Sequence, residues 1–116
     1  MNNTLVWWFN NRPTTKENVL ACVGAGWHPL VSHLIDDLFE LGWDGRVAQV
    51  KEKFGGLRFY VGAGNPVIWN RIQEAEKESY KTCEECGAPG QLRTDGWMKT
   101  LCEEHGKDRP TEHSFY

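Results

Sequence analysis

The sequence predicts an α+β fold: a small helical body with a β-hairpin, followed by a C-terminal zinc-ribbon lobe. Three observations predict it. Leu30, Val31, Leu34, Ile35, Leu38 and Phe39 recur at helical spacing. Two alternating runs, 46–54 and 57–61, meet at Gly55-Gly56, which reads as a two-residue hairpin turn. Cys83-Glu84-Glu85-Cys86-Gly87 is then answered by Cys102-Glu103-Glu104-His105-Gly106, with fifteen residues between the ligand pairs. That is the spacing of a closed tetrahedral zinc site. A chain of 116 residues suits one compact unit. The expected organisation is a body over 1–82, a zinc ribbon over 83–106 and a flexible tail over 107–116.

Taken in order, Leu5 to Phe9 is a short aromatic and branched run with strand character. Arg12-Pro13-Thr14-Thr15 supplies a turn and a helix cap, and a helix over about 16–22 follows, stopped by Gly24 and Gly26. His28-Pro29 opens the main core helix, over about 29–41, with Pro29 in the first turn where its missing N–H does no harm. His33, Asp36, Asp37 and Glu40 fall off its apolar stripe and are expected in solvent.

The hairpin over about 46–61 carries the next expectation. A turn at Gly55-Gly56 pairs Phe54 with Leu57, Glu52 with Phe59 and Val50 with Val61 on one face. On the other it pairs Lys53 with Arg58 and Lys51 with Tyr60. Like charges directly opposite each other call for an anionic neighbour: a partner's carboxylates, a phosphate, or the chain's own acidic metal lobe. Lys51, Lys53, Arg58 and Tyr60 are therefore the candidate partner-binding residues. Asn65-Pro66 opens a third helix, over about 66–81, with Val67, Ile68, Ile72, Ala75 and Tyr80 placed to pack. It runs into Cys83 without a linker, so the metal lobe is expected to dock on the body.

Within the lobe, Gln91–Thr94 and Trp97–Leu101 flank Asp95-Gly96, a strong hairpin signal. Two ligand knuckles and a hairpin describe a zinc ribbon. A treble clef, the alternative, needs a longer helix after Cys102, where Gly106 and Pro110 leave little room. One structural Zn²⁺ on Cys83, Cys86, Cys102 and His105 is the expected cofactor. Incidental cysteines would not explain why three of the four in the chain fall into this pattern. The fourth, Cys22, sits in Leu20-Ala21-Cys22-Val23 and is expected to be a buried, inert thiol.

Charge and motif chemistry narrow the function classes. The formal net charge is −3, and residues 83–116 hold seven acidic against four basic side chains. Glu84, Glu85, Glu103 and Glu104 lie between the ligands, a poor surface for a phosphate backbone. Four protein ligands leave zinc no open position for catalysis. Zinc deaminases set a glutamate two residues after the first ligand and a proline before the later cysteine pair, whereas Thr82 precedes Cys83 here. No histidine lies between Cys86 and Cys102 to act as the base of an HNH-type nuclease. Gly24-Ala25-Gly26 and Gly62-Ala63-Gly64 are too short for a phosphate-binding loop. The expectation is a non-enzymatic protein, with a small metallonuclease as a minor alternative. Six tryptophans are more than so small a core can bury, so some should reach the surface, where they favour protein contact. No apolar run approaches a membrane span, and the N-terminus lacks the features of a secretory signal, so a cytoplasmic location is expected.

Val50-Lys51-Glu52-Lys53-Phe54-Gly55-Gly56-Leu57-Arg58-Phe59-Tyr60, with Cys83-Glu84-Glu85-Cys86-Gly87, Gly96-Trp97 and Thr100-Leu101-Cys102-Glu103-Glu104-His105, resembles small zinc-ribbon proteins encoded by bacteriophages and prophages. These segments lie within residues 50–105, about half of the chain. The resemblance implies a phage or prophage origin and the four zinc ligands, and it transfers no catalytic residue. Most such proteins have no assigned activity. Small phage accessory proteins bind and disable or redirect host proteins, including defence systems such as CRISPR effectors. The resulting expectation is an inhibitor or modulator of a protein in the bacterial host cell. The alternative is a nucleic-acid-binding zinc ribbon of phage transcription or replication.

Overall fold

The computed structural model describes residues 3–94 and 96–107. Its body is a mixed four-stranded sheet in the order β2-β1-β3-β4, made of β1 (Leu5–Trp7), β2 (Pro13–Thr14), β3 (Arg46–Lys53) and β4 (Gly56–Val61). β1 pairs antiparallel with β2 and parallel with β3. The parallel pair needs a crossover, and α1 (Lys16–Leu20), a 3-10 turn (Ala25–Trp27) and α2 (His28–Glu40) provide it. α3 (Pro66–Ser79) packs beside α2 and along β4, the free edge of the sheet. A second sheet, β5 (Gln91–Arg93) with β6 (Lys99–Leu101), and α4 (Glu103–Lys107) complete the chain.

Local chemistry explains the helix starts. Thr15 caps α1, its hydroxyl accepting the Asn18 amide at 3.1 Å, and Asn65 caps α3 by accepting the Ile68 amide at 3.0 Å. α2 buries Leu30, Val31, Leu34, Ile35 and Leu38, the predicted stripe, against Leu5, Val47, Val50, Leu57, Phe59 and Val61 of the sheet. Asp36 and Asp37 face outward, paired with Lys16 at 2.7 Å and Arg71 at 2.8 Å. α1 ends at Leu20, two residues before the expected limit, so Val19 and Val23 turn inward while Cys22 is exposed rather than buried. α3 ends at Ser79. Its buried side is Ile68, Ile72, Ala75 and Ser79, while Val67, expected in the core, lies in solvent.

The hairpin forms, but its pairing is shifted by two residues from the expected register. Its turn residues are Phe54 and Gly55, at φ +55° and +82°, so Lys53 pairs with Gly56, Lys51 with Arg58 and Gln49 with Tyr60. Gly56 belongs to β4 because the Tyr80 ring occupies the space that any Cβ there would need. Close packing, not turn formation, explains this second glycine. A bulge between Val47 and Gln49 restores the inward face, so that Val47 and Val50, three residues apart, are both buried. Glu52, a misfit in the expected pairing, accepts the Gly55 amide at 2.7 Å and so closes the turn. The expected tail over 107–116 lies outside the described residues except for Lys107, which ends α4.

Candidate metal centre

The first ligand pair is a knuckle folded on its own backbone. The Cys83 amide donates to the Ala88 carbonyl at 2.8 Å and the Gly87 amide to the Cys83 carbonyl at 2.9 Å. Gly87, at φ +83°, lets the chain turn back. The second pair is built differently. Cys102 directly precedes α4 and His105 lies in its first turn, with the Gly106 amide bonded to the Cys102 carbonyl at 2.8 Å. The lobe therefore reads knuckle, hairpin and a five-residue helix. Gly106 is helical here. A side chain at this position would strike the Arg93 guanidinium, which donates to the Cys102 carbonyl at 3.2 Å.

These elements bring Cys83, Cys86, Cys102 and His105 together, their ligand atoms all within 4.8 Å of one another. Cys86 Sγ lies 3.7 Å from Cys102 Sγ, and His105 Nδ1 lies 3.2 Å from Cys102 Sγ and 3.6 Å from Cys83 Sγ. A tetrahedron with Zn–S of about 2.3 Å and Zn–N of about 2.0 Å has edges of ~3.5–3.8 Å. The group therefore has the size of one tetrahedral site, and its three soft sulfurs and one imidazole suit zinc. Cys86 and Cys102 are not joined by a disulfide, since 3.7 Å is far beyond an S–S bond. The His105 amide lowers the Cys102 thiol to about 6, and the His105 ring and the neighbouring sulfurs assist. That thiol is largely thiolate at neutral pH, the form that binds metal. The Cys102 sulfur in turn raises the His105 pKa.

The lobe is welded to the body at two places. Gly26 donates its amide to the Glu84 carbonyl at 2.8 Å, and Trp27, fully buried, donates Nε1 to the Thr82 carbonyl at 2.8 Å. A Cβ on Gly26 would fall 2.0 Å from the Cys83 carbonyl oxygen, and one on Gly24 2.5 Å from that of Glu84. These glycines admit the knuckle backbone against the body. At the second place Thr100 donates its hydroxyl to the Gly55 carbonyl at 2.6 Å, tying β6 to the β3–β4 turn. Glu84, expected on the acidic surface, is 5% exposed: its carboxylate accepts the Thr100 amide at 2.8 Å and has Lys99 Nζ at 3.5 Å. Burial raises its pKa against the opposing pull of the Thr100 amide.

The candidate partner residues share one strand face, as expected, because the register shift preserves their side of the sheet. Lys51, Lys53 and Tyr60 are available there. Arg58 is not, since its Nη1 donates to Glu76 at 2.6 Å and to the Tyr80 hydroxyl at 3.2 Å. Helix α3, not the metal lobe, supplies the anion that the hairpin charges called for. Of the tryptophans, Trp27 and Trp43 are buried, while Trp8, Trp69 and Trp97 are exposed. No described helix is long and apolar enough to cross a membrane. No family model matches the chain, and neither does any curated protein or solved structure.

Proposed function

We propose that this chain is a non-enzymatic protein-binding module, shaped by one structural zinc ion, that inhibits or redirects a protein of its host cell. The closure of the metal group carries the reading. Three thiols and an imidazole complete a tetrahedron by themselves, leaving no position for a substrate or an activated water. Bound zinc would supply a cross-link between the knuckle and α4, and with it folding free energy. Cys22 stands exposed, its sulfur 3.6 Å from the Asn18 carbonyl oxygen, and desolvation raises its pKa. The exposed Trp8, Trp69 and Trp97 are the residue type that dominates protein interfaces.

The phage or prophage setting rests on the resemblance of residues 50–60 and of the metal motifs, and so does a host defence protein such as a CRISPR effector as the target. The cytoplasm of a bacterial host is proposed on the same ground. Lys51, Lys53 and Tyr60 on one face support the alternative, a nucleic-acid-binding role in phage transcription or replication. Affinity capture from host lysate with the zinc-loaded chain, with and without nuclease, separates the two. The expected result is one host protein retained in stoichiometric amount whether or not nuclease is present. Loss of all captured material after nuclease, or tight oligonucleotide binding with a steep salt slope, would replace the first reading with the second.

A further inference from the structure

Phe54 is the first central residue of the β3–β4 turn, in the left-handed region at φ +55°. Asn, Asp or Gly is preferred there, because a bulky side chain is crowded at positive φ. Phe54 gains no burial in return, since it is 59% exposed. An Asn-Gly turn would suit this backbone better, so the ring stands on the surface against local preference. Residues held that way cluster at sites of contact.

Trp97, 73% exposed, stands on the connection between β5 and β6. Between it and Phe54 lies a cleft of about 400 Å³ lined by Glu52, Lys53, Phe54, Gly96, Trp97 and Met98. One wall is the body and the other is the metal lobe. The bond from the Thr100 hydroxyl to the Gly55 carbonyl and the Leu92 side chain against Gly55 hold the walls in position. The cleft therefore exists only while the lobe is folded and docked.

The rim is basic. Lys53 Nζ lies 5.5 Å from the centre of the Phe54 ring, and Lys51 occupies the same strand face two residues earlier. Neither lysine forms an ion pair with a described residue. Glu52 is directed to the Gly55 amide at 2.7 Å. An apolar slot between aromatic walls, with lysines beside it that pair with no described carboxylate, is complementary to carboxylates flanking an apolar side chain. Met98 adds an adaptable thioether to the slot. A nucleic-acid strand would find only two lysines here, without the run of cations that tracks a phosphate backbone.

We propose that this cleft docks an acidic segment of a partner protein, which inserts one apolar side chain between Phe54 and Trp97 and sets its carboxylates against Lys53 and Lys51. This rests on the protein-binding reading above.

The test selects a random displayed peptide library on the zinc-loaded chain and measures the enriched peptides by fluorescence anisotropy, with an oligothymidylate as competitor. Enriched peptides should combine acidic residues with one Leu, Ile, Phe or Trp. Phe54→Asn should weaken them at least about tenfold while raising the melting temperature, a pairing that a folding defect cannot produce. The double charge reversal Lys51→Glu with Lys53→Glu should weaken them by a similar factor. Failure to enrich any peptide, enrichment without acidic residues, unchanged binding to Phe54→Asn, or displacement by the oligothymidylate would each overturn the proposal. A host protein captured equally by wild type and Phe54→Asn would overturn the cleft alone and leave the protein-binding reading intact.

Discussion

Glu84 carries its charge into the joint between knuckle and hairpin, where one carboxylate oxygen accepts the Thr100 amide. Glu84→Ala leaves that amide unpaired in a buried position and should destabilise the protein by about 1–3 kcal/mol in denaturant titrations. Glu84→Gln keeps an accepting carbonyl and should be nearly neutral. The pH dependence separates them further. Burial raises the folded-state pKa of Glu84 above its ordinary value, so the folded chain holds this proton more tightly than the unfolded chain. Its contribution to stability is greatest at low pH and declines as pH rises from the ordinary carboxylate range through the raised pKa. Glu84→Gln should remove that component from the stability–pH curve measured between those limits. Such a residue escapes a reading of charge pattern, because Glu84 and the exposed Glu85 are adjacent and chemically alike. Burial separates them, and burial is decided by what docks there.

At the level of elements, the 3-10 turn and the first metal knuckle behave as one joint. Gly26 lies so close to the Cys83 and Glu84 backbone that an added methyl has no flexible neighbour to displace. Gly26→Ala should therefore undock the lobe, with a loss on the order of 3 kcal/mol or more, a size typical of overpacking against fixed atoms. Hydrogen exchange would show β6 and the 82–90 amides losing protection before those of α2. Equal protection in mutant and wild type would show that the joint tolerates the methyl. The sequence marks this joint only as Gly-Ala-Gly followed by Trp, which reads as a helix stop. Helix existence was legible because periodicity is local: the stripe on α2 and the caps at Thr15 and Asn65 all stand as expected. The hairpin turn was misplaced because Gly55 and Gly56 are equally permissive in isolation. Only Tyr80, far along the chain, assigns the second glycine to the strand.

For the molecule as a whole, metal and body should be coupled. Cys86→Ala removes one of the four residues that could hold a metal ion and, on the zinc-site reading proposed above, should unfold the metal lobe. It should also lower the melting temperature of the body, because Trp27 and the β3–β4 turn lose their partners at Thr82 and Thr100. Chelation of metal from the wild-type chain should reproduce both effects, and zinc should reverse them. A body transition indifferent to chelator would show that the two units are energetically separate. Metal content should also fall on acidification, since protons compete for His105 and the thiolates; metal analysis after dialysis across pH measures this.

The two Cys/His pairs that could hold a metal, the main helices and the existence of a hairpin were determined by the sequence itself, because spacing within a pair, apolar periodicity and turn residues act over a few neighbouring positions. What only the tertiary structure decided depends on distant segments meeting. The parallel pairing of β1 with β3, the capture of Arg58 by Glu76, the burial of Glu84 and the facing of Phe54 and Trp97 across one cleft all join residues remote in sequence. No local preference records those contacts, since they arise from the common packing of body and lobe.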